Sequence, residues 1–267
     1  MPYIEVAKGV QLYGLDFGTG TPVVFTHAGL TTHKMWDHQT AALAGRFRTV
    51  TYDWRGVGAS DKPRSGYTID VLVADLCTLI ERLEIGPAIL VGHGVGTHVT
   101  LLAAEARPDL VRGMVLVSGA PWFAGDHGSE GGFSAEFTQW WRSQASETLS
   151  PQLYAALCER FMFLRDPGPA VAQAILQMAL ETPLHVFNSY TASMRELDHR
   201  ARLGRITCPT LVMHGRFDKK QRYGGGVYLA KHLVNGRLVT FEASAHMPQL
   251  EEVDTFNREL ATFIEAA

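Results

Sequence analysis

The sequence predicts an α/β domain in which a mostly parallel sheet carries helices on both faces and one helical insertion. Short apolar, β-rich runs alternate with longer stretches of helical periodicity, the pattern of parallel strands joined by crossover helices. The alternation breaks once, between residues 122 and 205, where no strand pattern occurs and aromatic residues fall at helical spacing. At 267 residues the chain can bury the core of one large domain with an insertion.

The elements follow in order. Strands are expected at 10–17, 22–26, 48–53, 88–91, 113–118, 210–214 and 237–241, each a short apolar run bounded by turn residues. Residues 70–83 carry Val71, Leu72, Ala74, Leu76, Leu79, Ile80 and Leu83 at helical spacing, and 95–106 and 256–264 look similar. These elements divide the chain into a core, 1–121 with 206–267, and a helical cap over 122–205. The cap opens on Gly125, Gly128, Gly131 and Gly132 and holds Phe133, Phe137, Trp140, Trp141, Tyr154, Phe161, Phe163, Phe187 and Tyr190. Most of these aromatics are expected to form the cap's own core, with a minority facing a pocket beneath it.

Bulk properties narrow the partners. A net charge of −3 with 19% charged residues offers no concentrated basic surface for nucleic acid. No apolar run is long enough to span a bilayer, and the N-terminus lacks the basic and apolar regions of a signal peptide. Cys77, Cys158 and Cys208 are few, odd in number and far apart, as expected of thiols in a reducing compartment. A cytoplasmic protein, monomer or homodimer, acting on a small molecule is the resulting expectation.

The most informative segment lies at 88–100, Ala-Ile-Leu-Val-Gly-His-Gly-Val-Gly-Thr-His-Val-Thr. An apolar strand, a glycine-rich turn and a helix reproduce the layout of a nucleophile elbow, G-x-S-x-G. Gly92, His93, Val95 and Gly96 take their places, but Gly94 stands where the serine would be. Downstream, Asp218 and His246 each follow a strand, in the order nucleophile, acid, histidine. Upstream, the backbone at Gly29 is a candidate oxyanion donor, with the N–H of Val95 as its partner at a helix N-terminus. Gly92-x-Gly94-x-Gly96 does not have G-x-G-x-x-G spacing, since Thr97 occupies the required glycine position, so dinucleotide binding is set aside. His93 and His98 have no accompanying H-x-x-x-H or carboxylate cluster, so no metal is expected, and no cofactor.

Together these residues resemble the α/β-hydrolase superfamily, in the branch of 3-oxoadipate enol-lactonases, related esterases and C–C bond hydrolases. The resemblance rests on His-Ala-Gly-Leu (27–30), Met-Trp-Asp (35–37), Tyr-Asp-Trp-Arg-Gly-Val-Gly-Ala-Ser (52–60), Gly-His-Gly-Val-Gly (92–96), Cys-Pro-Thr-Leu-Val (208–212), Phe-Asp (217–218) and Ala-His-Met-Pro (245–248). It implies an α/β-hydrolase fold with a mostly parallel, eight-stranded type of sheet. It also implies catalytic roles for His246 and Asp218, with Gly94 at the nucleophile position. Ala28, Leu30, His33, His93, Trp122 and Met247 are candidate pocket residues, and Trp36 is another. Asp53, Arg55 and Ser60 are expected to be structural, with an Asp-x-Arg pair holding the loop, and His27 to brace the oxyanion segment. The basic run Lys219, Lys220, Gln221 and Arg222, where relatives commonly carry a proline, is expected to be a solvated loop. Attraction of a carboxylate-bearing substrate is its less favoured alternative.

Three functions follow from Gly94. The leading one is an enzyme without covalent catalysis, in which His246 and Asp218 perform acid–base chemistry on a carbonyl, ester or lactone substrate. Decarboxylation, lyase chemistry, cyclisation or water-mediated hydrolysis all fit it. The second is an ordinary ester or lactone hydrolase whose serine has been replaced by glycine at 94. The third is a non-catalytic ligand-binding relative.

Overall fold

A computed structural model describes residues 2–124, 131–144 and 150–267. The strands are β1 (Tyr3–Ala7), β2 (Val10–Phe17), β3 (Pro22–Thr26), β4 (Arg48–Tyr52), β5 (Ala88–His93), β6 (Val111–Val117), β7 (Thr210–Gly215) and β8 (Gly236–Phe241). They form one eight-stranded sheet in the order β1-β2-β4-β3-β5-β6-β7-β8. β1, β2 and β4 pair antiparallel, and every pair from β4 to β8 is parallel. This is the α/β-hydrolase fold.

The helices are α1 (Asp37–Leu43), α2 (Ile69–Arg82), α3 (Gly96–Ala106), α4 (Ala135–Gln144), α5 (Pro151–Leu157), α6 (Pro169–Leu180), α7 (Leu184–Met194), α8 (Tyr223–His232), α9 (Pro248–Glu251) and α10 (Val253–Ala266). Side chains alternate across the strands and divide the core in two. Val24, Leu90, Leu116 and Val212 pack with residues of α2, α3 and α8 on one face. Val23, Phe25, Ile89, Val91, Val117 and Met213 pack with residues of α10 on the other. Both faces are dry, which is why the central strands read as unbroken apolar runs.

The short helices α1 and α9, the strand β1 and the helix α8 were not expected from the sequence. β1 is an edge strand whose residues alternate between exposed and half-buried, so it lacks an apolar run. α8 contains three consecutive glycines, which argue against helix by propensity. Close packing explains two of them, because a β-carbon on Gly226 would stand 2.5 Å from His214 Nδ1 and one on Gly225 would stand 2.9 Å from Ala120 Cβ.

Between β6 and β7 the described residues are helical apart from turns and two isolated bridges. Gly125 and Gly128 lie outside the described residues. Ser150 caps α5 by accepting from the Leu153 N–H, and Pro151 occupies its first turn. A π-helical turn, Cys158–Met162, follows α5. Among the described residues no helix is long and apolar enough to cross a membrane.

Candidate active site

Parallel pairing brings the C-terminal ends of β3, β5, β7 and β8 to one edge of the sheet, where open α/β sheets bind ligands. Gly29 follows β3, Gly94 follows β5, Asp218 follows β7 and His246 follows β8. Four segments distant in sequence therefore converge.

The turn after β5 has the conformation its glycines allow. Gly94 sits at φ +54, the left-handed region that a side chain adopts only under strain. Its N–H donates to the Val117 carbonyl at 2.9 Å, which anchors the turn to β6. Gly96 lets α3 approach β3 closely, since a β-carbon there would lie 2.6 Å from the His27 carbonyl oxygen.

His246 faces this turn. A β-carbon built on Gly94 would stand 3.5 Å from His246 Nε2 and 3.7 Å from Ala28 Cβ, ordinary contact distances with no clash. Nε2 is buried and has no hydrogen-bond partner among the described residues. Nδ1 lies 2.8 Å from Asp218 Oδ2, so a proton on Nδ1 leaves the Nε2 lone pair directed at the turn. Burial depresses the imidazole's pKa below its ordinary 6.5, with the Asp218 carboxylate acting in the opposite sense. The ring is therefore neutral at pH 7.

Asp218 is held as an anion. Burial alone would raise its pKa, but His246 and His214 together bring it well below the usual carboxylate range. The N–H groups of Lys220 and Gln221 donate to Oδ1 at 2.9 Å each. His214 Nε2 lies 3.2 Å from Oδ2, so the carboxylate bridges two imidazoles. His214 was not among the expected site residues; its only sequence signal is its place four residues before Asp218.

The candidate oxyanion groups lie across the turn. Gly29 and Val95 are neighbours, a β-carbon on Gly29 falling 3.3 Å from Val95 Cγ2. Among the described residues neither of their N–H groups makes a hydrogen bond. Leu30 adopts φ +60, unusual for a non-glycine residue. It is steadied by Tyr154 on α5, whose hydroxyl donates to the Leu30 carbonyl at 2.8 Å. His27 braces the same segment, with Nδ1 on the Ala28 carbonyl at 2.8 Å and Nε2 accepting from the Trp54 N–H at 3.1 Å. Burial pushes its pKa down to about 4, so it is neutral.

A cavity opens above Gly94. His246, Gly29, Val95, Ala28 and Leu30 border it from below, and Phe133, Phe137, Trp141, Tyr154 and Phe187 wall it from the segment between β6 and β7. Trp140, Phe161 and Phe163 do not border it. A smaller apolar chamber adjoins it across Gly29, Val95 and Phe187, and Tyr190 borders that one.

Four expected pocket residues lie elsewhere. His33 is turned onto Asp53, its Nδ1 2.8 Å from Oδ1. His93 is fully buried beneath His246, with Nε2 2.7 Å from the His246 carbonyl, and therefore steadies that loop. Trp122 packs edge-on to Tyr228 and under the Arg200 guanidinium. Met247 is buried, with Gln249 Nε2 3.6 Å from its sulfur. Trp36 likewise fills the core against Phe25 and Phe256.

Two further expectations are corrected. Asp53 and Arg55 are not partners: Asp53 accepts from the His33 and Ala59 N–H groups, while Arg55 forms a two-pronged bond to Asp75 on α2. Ser60 does hold the loop, donating to the Asp53 carbonyl at 2.6 Å. The basic run after Asp218 is not a uniformly solvated loop, because Gln221 is buried and Lys220 and Gln221 both border the cavity. His98, fully buried, stacks on His199.

A family model for the alpha/beta hydrolase fold matches residues 21–253, and the chain belongs to that family. The AB hydrolase superfamily protein YisY of Bacillus subtilis is 29% identical over 268 residues, covering 98% of both chains. The 3-oxoadipate enol-lactonase 2 of Acinetobacter baylyi is 27% identical over 259 residues, covering 94% of this chain and 92% of its own. Among solved structures, an esterase from Exiguobacterium antarcticum superposes with a TM-score of 0.89 over 98% of both chains at 24% identity, a likeness of fold.

Proposed function

We propose that this chain is an enzyme acting on a small ester, lactone or related carbonyl compound, with His246 and Asp218 performing acid–base catalysis and no covalent intermediate at position 94. The observation that carries the reading is the buried Nε2 of His246, without a hydrogen-bond partner among the described residues, held by Asp218 through Nδ1 and facing the space that a side chain at 94 would fill.

The chemistry follows from that placement. A water in the notch above Gly94 lies within reach of Nε2, which takes its proton as the water oxygen attacks the carbonyl carbon. The negative charge that develops on the carbonyl oxygen is met by the N–H groups of Gly29 and Val95. Collapse of the tetrahedral species breaks the carbon–oxygen bond, and His246 returns the proton to the departing alkoxide. Residues 122–205 serve as the cap that shields these charges from bulk water. General acid–base assistance is typically worth about 10²–10⁴ in rate, and serine-depleted sites keep roughly 10³–10⁴ over water.

One observation favours a second reading. The space above the turn admits a β-carbon at 94 at ordinary contact distances, and the strained φ of +54 is the conformation a nucleophile elbow imposes, as expected of an ester hydrolase whose serine has been replaced there. A fluorophosphonate probe separates the two. With mass spectrometry as readout, the chain and its Gly94→Ser variant are labelled, and both are assayed on aryl esters and lactones. Turnover by the unlabelled chain that disappears in His246→Ala supports the first reading. Hydrolysis that arises only with Gly94→Ser, together with a covalent adduct on that serine, supports the second. Turnover surviving His246→Ala overturns both.

A further inference from the structure

Lys220 extends from the turn that holds Asp218 and borders a cavity walled mainly by aromatic and aliphatic side chains, with Thr191, Gln221 and His246 among the polar residues beside it. Among the described residues its ammonium has no carboxylate partner. Its Nζ lies 3.7 Å from the Met162 sulfur and 5.8 Å from the centroid of the Phe137 ring. Gln221, the next residue, borders the same cavity and is 1% exposed. Neither its carboxamide nitrogen nor its oxygen has a hydrogen-bond partner among the described residues. Its backbone is fully engaged: its N–H donates to Asp218 and its carbonyl accepts from His214. The segment is thus fixed while its side chain is left unsatisfied. A buried amide without partners and a cation in apolar surroundings both carry a free-energy cost that a complementary anion removes.

We infer that Lys220 and Gln221 form a subsite for a carboxylate on the substrate, so that the enzyme acts on an ester or lactone bearing a carboxylate away from the bond that is cleaved. This rests on the reading of the cavity as the substrate site and narrows it. Lys220 Nζ and Gln221 Nε2 donate to the carboxylate oxygens, while the scissile carbonyl lies at Gly29 and Val95. An ammonium stabilises a carboxylate that stays charged and disfavours its loss as carbon dioxide. Among the reactions open to His246, the subsite therefore favours those in which the carboxylate is retained.

Binding tests this without any need for turnover. The probes are 3-phenylpropionate and its neutral isostere 3-phenylpropionamide, titrated calorimetrically at pH 6.5 against the wild-type protein, Lys220→Met, Gln221→Leu and His246→Ala. The wild type should bind the acid roughly 10- to 100-fold more tightly than the amide, the range expected of charge-assisted hydrogen bonds. Lys220→Met should bind both alike at the amide's affinity, and Gln221→Leu should lose part of the preference. Equal affinities in the wild type, failure of the acid to bind, or a preference that survives Lys220→Met would overturn the inference. The comparison of acid with amide on the wild type needs no variant to fold. His246→Ala retains the subsite, so a preference present there without ester turnover in the wild type would uphold the subsite and reject the catalytic reading. Turnover dependent on His246 without the preference would do the reverse.

Discussion

The hydroxyl of Tyr154 donates to the carbonyl of Leu30 at 2.8 Å, joining α5 of the helical segment to the loop that carries Gly29. That loop contains a non-glycine residue at φ +60, a conformation costing on the order of 1–3 kcal/mol that persists only when neighbours hold it. Tyr154→Phe leaves the ring in place and removes the donor. We expect turnover to fall about 10-fold and stability by about 1 kcal/mol, measured by steady-state kinetics and urea denaturation. Unchanged kinetics would show that the loop keeps its geometry without this bond.

Filling the notch tests whether the space above Gly94 takes part in the reaction. Gly94→Ala places a methyl 3.5 Å from His246 Nε2, where the proposed water would stand. A loss of about 10²-fold or more in kcat is expected, because the water is displaced while the imidazole and its carboxylate stay in place. Full activity in this variant would rule out a water-filled notch.

Asp218→Asn should cost roughly 10²–10⁴ in kcat, since an amide can no longer fix the tautomer with its proton on Nδ1. Substrate affinity should change little. Nuclear magnetic resonance of the imidazole nitrogens gives an independent check, with the Nδ1 proton shift moving on substitution.

The pH dependence follows from two groups. Only neutral His246 accepts a proton, and burial lowers its pKa, so activity should hold as pH falls through 6.5 and decline below it. For a carboxylate-bearing substrate a second limb appears on the alkaline side. Burial pushes the Lys220 pKa down to about 8, against the raising influence of Asp218 in its own turn and Cys158 beyond α5. The ammonium is lost as pH rises through that value, and His246, the remaining titratable group bordering the cavity besides Tyr154, is already neutral there. KM for the acid should rise near pH 8 while KM for a neutral ester stays level. Parallel profiles for the two substrates would contradict this.

Arg55 and Asp75 form a nearly dry ion pair, their side chains 9% and 3% exposed. Asp75→Ala leaves the guanidinium buried and unpaired, which is expected to cost about 3–5 kcal/mol in chemical denaturation. The Tyr190 hydroxyl donates to the Arg55 carbonyl, so the loss should also loosen α7. A variant as stable as the parent would mean that the loop opens to water at little cost.

Much of this molecule is legible in local pattern. The central strands, the long helices on the sheet and the turn at Gly94 each depend on residues within a few positions of one another, where periodicity and turn chemistry act. β1 and α8 are exceptions of the same kind: an edge strand has no fully buried run, and the glycines of α8 answer to packing against β7 rather than to helix propensity. The relation of His246 to Asp218 was accessible through their order along the chain, since parallel strands bring their C-terminal ends to one edge.

The chain alone thus determined the alternation of strands and helices, the glycine at the elbow and the choice of Asp218 and His246 as the candidate acid and base. Tertiary structure decided which side chains enter the cavity. It turned Lys220 and Gln221 inward, gave Arg55 to Asp75 instead of Asp53, placed His33, His93, Trp122 and Met247 outside the cavity wall, and set Tyr154 on the Leu30 carbonyl. The physical reason is range. Backbone propensity and hydrophobic period act over a few residues, whereas a side chain's partner is selected by packing between segments as distant along the chain as Leu30 and Tyr154.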